Sequence, residues 1–257
     1  VVRDWLREMT GVVGTPVPRS AAWPEKDFLD ELAPPELAVY REPRHPGRRR
    51  EWLLGRLCAK RALMAFLARS GVRADCPDLA VLSGDGPPRV VWSDALRARL
   101  PAGFPRPGLS LSHSGGAAVA VVFPGGRCVG IDLQVVVPIS DLLQRRAFTP
   151  AERRGVGAGK WFPSEAPFVA LWTAKEAAIK AVQEGWTAVL SDVTIREVVG
   201  PVFRGRYRNR PGRPGTFRAG SGFDGVIVPV FSGRFWLGLA RAGVASAEHR
   251  RSGKARS

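Results

Sequence analysis

A lysine–glutamate pair and a further lysine stand in one apolar helical stretch, FVALWTAKEAAIKA at 168–181. Upstream, a single aspartate closes an apolar run in GIDL at 130–133. Trp172, Glu176 and Lys180 fall at i, i+4 and i+8, so they share roughly one helix face, with Lys175 beside them. Two separated carboxylates, Asp132 and Glu176, with lysines around them suit a site that holds a divalent cation against phosphate. The plainer reading of Glu176 and Lys180 is a surface ion pair worth about 0.3–0.5 kcal/mol. The flanking residues Phe168, Val169, Leu171, Ala177, Ala178 and Ile179 speak against it, because charges in so apolar a helix need partners. For Asp132 the plainer reading is a turn or cap residue, although ligands do gather at strand ends in α/β folds.

Two further segments carry polar chemistry. SLSHS at 110–114, followed by Gly115 and Gly116, brings hydroxyls, a histidine and glycines whose backbone N–H groups can cradle phosphate. Of the three histidines, His113 is the candidate; His45 lies in a Pro/Arg-rich segment and His249 in the tail. Arg48, Arg49, Arg50, Arg56 and Lys60 cluster on a second helical stretch, as a solvated basic face or as a phosphate clamp. No GxxxxGK[ST] loop and no GxSxG elbow occurs, which argues against a P-loop nucleotidase and a serine hydrolase.

The elements that must position these residues follow from periodicity. Residues 48–70 read as a helix with an apolar stripe of Leu53, Leu57, Leu63, Phe66 and Leu67, stopped at Gly71. Short helices are expected near 4–8 and 25–32, and short strands at 78–83 and 89–92 around a Gly/Pro turn. Buried strands are expected at 109–112, 117–123 and 128–137, with PGGR at 124–127 as a hairpin turn between the last two. A helix begins at 142–146, Thr149-Pro150-Ala151-Glu152 reads as a helix cap, and 168–183 is the second strong helix. Strands follow at 189–199, 226–231 and 235–241, with 204–222 as an Arg/Gly/Pro-rich loop. Strands interleaved with helices imply an α+β or α/β fold, in two halves that join near 127–138. The halves are expected at 1–127 and 128–246, with a disordered basic tail at 247–257.

The chain has 257 residues and 45% hydrophobic content, enough for a sizeable core. Its formal charge of +16, from 39 Lys+Arg against 23 Asp+Glu, points to an anionic partner. Three cysteines without a CxxC suggest neither a zinc knuckle nor a disulfide framework, and a cytoplasmic setting is expected. The apolar runs are too short for a membrane span and no signal peptide is visible, though Val1 is not an initiator.

Taken in order, REWLLGRLCAKRAL at 50–63, Gly86-Pro87, SLSHS, GIDL, FTPAE at 148–152 and LWTAKEAAIKA at 171–181 resemble the surfactin-synthetase type of 4'-phosphopantetheinyl transferase. The resemblance runs from about residue 48 to 197, and W-x-x-K-E-A-x-x-K is its specific motif. It implies a pseudodimer of two similar α/β halves, each a small sheet packed on a long helix, with coenzyme A in the cleft between them. The implied reaction moves phosphopantetheine from coenzyme A to a serine of an acidic acyl or peptidyl carrier protein and releases adenosine 3',5'-bisphosphate. Carried over by the resemblance, Asp132 and Glu176 bind Mg2+, Lys180 neutralises phosphate charge and Lys175 assists. His113 meets the adenosine 3'-phosphate or a neighbouring phosphate oxygen, and Arg56 and Arg50 grip the nucleotide end. Glu176, directly or through a water it positions, is the base.

One position departs from the pattern. The family often has an acid two places after the strand aspartate; here Gln134 offers a neutral carbonyl oxygen to the metal. Two other classes stay open at this point. A basic nucleic-acid-binding module would explain the charge but leaves Asp132 and Glu176 unexplained. An inactive relative that only binds carrier proteins would explain Gln134. The transferase reading expects a monomer that binds neither nucleic acid nor membrane.

Overall fold

Side-chain alternation along a few central strands sets the layering of this chain. The computed structural model describes residues 12–15, 25–42, 45–84, 86–126, 128–162, 164–182, 189–208 and 221–243. Its first half contains β1 (Val12–Thr15), α1 (Pro34–Arg41), α2 (Pro46–Ala68), β2 (Leu79–Leu82), β3 (Arg89–Trp92), α3 (Asp94–Arg99), β4 (Gly108–Ser114) and β5 (Ala117–Phe123). The second contains β6 (Val129–Val135), α4 (Asp141–Ala147), α5 (Pro150–Gly157), α6 (Pro167–Ala181), β7 (Val193–Val199), β8 (Val202–Tyr207), β9 (Gly222–Val230) and β10 (Phe235–Ala242). Strands β1-β5-β4 form one antiparallel sheet and β6-β10-β9-β8-β7 another, while β2 and β3 pair as a separate ribbon.

On β5, Ala118, Ala120 and Val122 face α2, joining Leu54, Cys58, Leu63 and Leu67 in one core. The alternate residues Ala117, Val119, Val121 and Phe123 face the other way. There they meet Val129, Ile131 and Leu133 of β6 and Phe235 and Leu239 of β10. The far face of the second sheet packs on α6 through Trp236, Ala240, Ala170, Leu171, Ala174 and Ala178. The order is helix, sheet, sheet, helix, so the halves share a buried apolar seam. Both helices can be long because each starts on a proline, which wastes no N–H there, and carries no interior proline. No helix among the described residues is long and apolar enough to cross a membrane.

Each long helix also buries a lysine on a carboxylate that caps a shorter helix. Glu36 of α1 accepts from the Ala33 and Val81 backbone N–H groups and pairs with Lys60 of α2. Glu152 of α5 forms a capping box with Thr149, accepts from Ile195 N at 2.8 Å, and pairs with Lys175 of α6 at 3.1 Å. All four side chains are 0% exposed. A buried pair of this kind adds little net stability, yet losing one partner costs about 3–5 kcal/mol because the other charge is stranded.

The structure departs from the sequence-based expectations in three places. Strands β5 and β6 do not pair as a hairpin around the expected turn, because they lie in different sheets. Apolar alternation marks both as buried strands but cannot say which partner each takes. The expected loop at 204–222 begins inside β8, whose arginines alternate with the buried Phe203, Gly205 and Tyr207. Third, β7 starts at Val193 rather than 189, after a 3-10 turn at Leu190–Asp192. The expected helix near 4–8 and the tail at 247–257 lie outside the described residues, as do 209–220 of the loop.

Candidate active site

The GID glycine governs how close β6 and α6 can come. A Cβ on Gly130 would lie 2.1 Å from Ala177 O and 2.3 Å from Ala181 N, so only glycine lets β6 and α6 touch backbone to backbone. Gly238, across from Asp132 on β10, permits a similar approach to Thr173 of α6. With Gly130 facing α6, period two puts Asp132 and Gln134 on the same face of β6. Asp132 is 5% exposed, and its Oδ1 accepts from Lys180 Nζ at 2.7 Å and Ser112 Oγ at 2.8 Å. Its Oδ2 is buried with no hydrogen-bond partner among the described residues.

Glu176 sits one turn before Lys180. Burial pushes its carboxyl above the ordinary range, the nearby Asp132 charge adds to the rise, and Lys180 opposes it. The Asp132 charge thus acts on the Glu176 carboxyl, which lies one helical turn from the Lys180 that pairs with Asp132.

From the first half, β4 supplies His113 on the face toward α2. Its imidazole lies against Gly55, where a Cβ would approach Cδ2 to 3.3 Å, and its Nδ1 is 3.7 Å from Glu51 Oε2. Burial lowers its proton affinity, Glu51 and Asp132 raise it, and Lys180 and Arg56 lower it. One imidazole therefore senses charges from α2, β6 and α6 at once. Arg56 is buried, donates to Ser83 Oγ and stacks its guanidinium 4.7 Å from the Trp52 ring centroid. Arg50, six residues earlier on α2, is rotated by about 120° from Arg56 around the helix.

Ser112, Asp132 and Lys180 are thus joined across the two halves by hydrogen bonds, with Glu176, His113 and Arg56 within electrostatic reach of this cluster. Gln134 is half-buried on the same strand face as Asp132. Lys175 is not brought there: its ammonium donates to both Glu152 oxygens and to Ala147 O in the C-terminal core. The helix turns 100° between neighbours, so Lys175 and Glu176 serve different surroundings. Nor do the SLSHS hydroxyls and glycines form a phosphate cradle. Ser110 and Ser114 accept from Ile131 N and Val135 N, closing the edge of β6. Gly115 and Gly116 take positive φ in the tight turn joining β4 to β5. Glu51 was not singled out from the sequence; its spacing of four from Gly55, facing the SLSHS strand, is the signal that points to it.

The donor set suits Mg2+. A buried carboxylate oxygen without a donor among the described residues, a second carboxylate under repulsion from the first and a neutral amide on the same strand face are oxygen groups of the kind a hard cation takes alongside water and phosphate oxygens. Among the described residues there is no group of three or more His, Cys, Asp and Glu of the kind that encloses a metal by itself. A hard cation that keeps its waters does not require one.

Residues 128–219 match the family model ACPS, the 4'-phosphopantetheinyl transferase superfamily. The matched span holds Asp132, Gln134, Glu176 and Lys180, whereas Arg56 and His113 lie outside it. No curated protein matches the chain. Such a domain implies coenzyme A and a carrier protein as partners. Residues 128–219 therefore carry a 4'-phosphopantetheinyl transferase superfamily domain, which supports a phosphopantetheinyl transferase enzyme.

Proposed function

We propose that this chain is a surfactin-synthetase-type transferase that moves the 4'-phosphopantetheine arm of coenzyme A onto a serine of an apo carrier protein. The observation that carries this reading is the buried, donor-free Oδ2 of Asp132 beside the coupled carboxyl of Glu176 and the Lys180 ammonium. Asp132, Glu176 and Gln134 would hold Mg2+, which when bound neutralises charge on the pyrophosphate. Arg56 and His113, on the opposite wall, would bind the nucleotide phosphate. Partial burial lowers the proton affinity of His113, and an anion beside it would favour its protonated, donating form.

In the reaction the serine oxygen bonds to the phosphorus bearing the pantetheine arm as the P–O bond to adenosine 3',5'-bisphosphate breaks. The serine proton passes to Glu176, directly or through a water, and the raised proton affinity of that carboxyl suits it as acceptor. Lys180, one-third exposed, can follow the charge that develops on the leaving group.

The halves at 1–127 and 128–246 form, in this reading, a duplicated pseudodimer. The buried Glu36–Lys60 and Glu152–Lys175 pairs, each tying a capped helix to a long helix and a strand, support the duplication. The cleft uses residues of both halves of one chain, so a monomer suffices, and a charge of +16 steers an acidic carrier toward it. Coenzyme A and free thiols both suit the cytoplasm. The test is mass spectrometry of an apo carrier protein incubated with the chain, coenzyme A and Mg2+. A gain of one phosphopantetheine arm, lost in Glu176→Ala and with chelator, is expected; an unmodified carrier under all conditions overturns the reading.

A further inference from the structure

The three serines of β4 do not share one task. Residues 110, 112 and 114 share the face of β4 turned toward the outer edge of β6, which pairs with no strand among the described residues. Ser110 and Ser114 accept from backbone N–H groups and so replace missing ladder bonds. Ser112 instead donates to the Asp132 carboxylate, with both residues about 95% buried. We propose that Ser112 is a positioning residue that decides which oxygen of Asp132 meets the metal, an inference that rests on the Mg2+ reading above.

Oδ1 holds two donors and Oδ2 none. Two donors on one oxygen restrain rotation about Cβ–Cγ and leave the lone pairs of the other unengaged among the described residues. Of the two, the Lys180 ammonium is on a long, partly exposed side chain that can leave for a phosphate. The Ser112 hydroxyl is on a short buried one and stays. Without it, Oδ1 loses its permanent partner and the two oxygens become interchangeable. Losing an outer partner of this kind typically weakens metal binding about 10- to 100-fold.

The experiment measures Mn2+ affinity of the full chain by electron paramagnetic resonance, with thermal unfolding, for Ser110→Ala, Ser112→Ala and Ser114→Ala. All three lose stability at the seam, but only Ser112→Ala loses Mn2+ affinity, by about tenfold or more. The Mg2+ concentration for half-maximal labelling rises by the same factor, with KM for the carrier protein unchanged. Affinity within twofold of the parent in Ser112→Ala overturns the proposal, as does an equal loss in Ser110→Ala. A parent chain that binds no Mn2+ would instead overturn the metal reading itself. If Ser112→Ala does not fold, Ser112→Thr and Ser112→Cys replace it, keeping a strong and a weak donor in side chains of similar size. Affinity then falls from Thr to Cys, and equal values overturn the proposal.

Discussion

Replacing Gly130 with alanine adds one methyl group where the structure has no room. The new Cβ would stand 2.1 Å from Ala177 O, whereas real Cβ contacts stay beyond 3.0 Å, so strand and helix must part by about 0.9 Å. Both clashing groups are backbone, so no rotamer change relieves them. Overpacking of this kind costs roughly 1–3 kcal/mol, and Tm falls by about 2–4 °C for each kcal/mol in a chain of this size. The displaced helix carries Glu176 and Lys180 away from Asp132, stretching a 2.7 Å ion pair out of hydrogen-bond range. A displacement near 1 Å in a positioned site lowers rate by about 100-fold. Labelling of an apo carrier by coenzyme A, run beside thermal unfolding, reads both effects. Gly238→Ala is the graded control, because its Cβ would approach Thr173 O only to 2.9 Å and so should give the smaller loss in each assay. A Gly130→Ala protein with lowered Tm but parental labelling rate would refute the link between helix spacing and the site.

Three further outcomes follow from the same geometry. The folded chain raises the Glu176 carboxyl, so its ionised form is penalised: the penalty is absent below the unfolded value and complete above the folded one. Ligand-free Glu176→Gln should therefore be more stable than the parent at pH 8, with the gap closing near about pH 4, as urea unfolding would record; a gap that widens on acidification contradicts the assignment. Lys175→Met should lose about 3–5 kcal/mol by stranding Glu152, yet retain coenzyme A affinity by calorimetry, while Lys180→Met loses that affinity; equal losses of affinity in the two variants would put both lysines at one site. Gln134→Glu should lower the Mg2+ needed for half-maximal labelling, and an unchanged or higher requirement removes Gln134 from the metal's surroundings.

Much of this was legible in the residue pattern. Helical periodicity around 172, 176 and 180, an aspartate after an apolar run and the order of short motifs led to the carboxylate pair without coordinates, although Asp132 lies in the middle of β6 and not at its end. The Thr149 cap was readable because its hydrogen bonds are local in sequence. Sequence alone therefore determined which elements hold the candidate side chains, since that depends on spacing along the chain. Lys175 escaped this logic because adjacent positions on a helix look equally suited to a site until packing assigns each a neighbour. The serines of β4 escaped it for the same reason, and so did the separation of β5 from β6 into two sheets. Those are contacts between distant segments, chosen by how apolar faces and buried charges are jointly satisfied, and only the tertiary structure decides them.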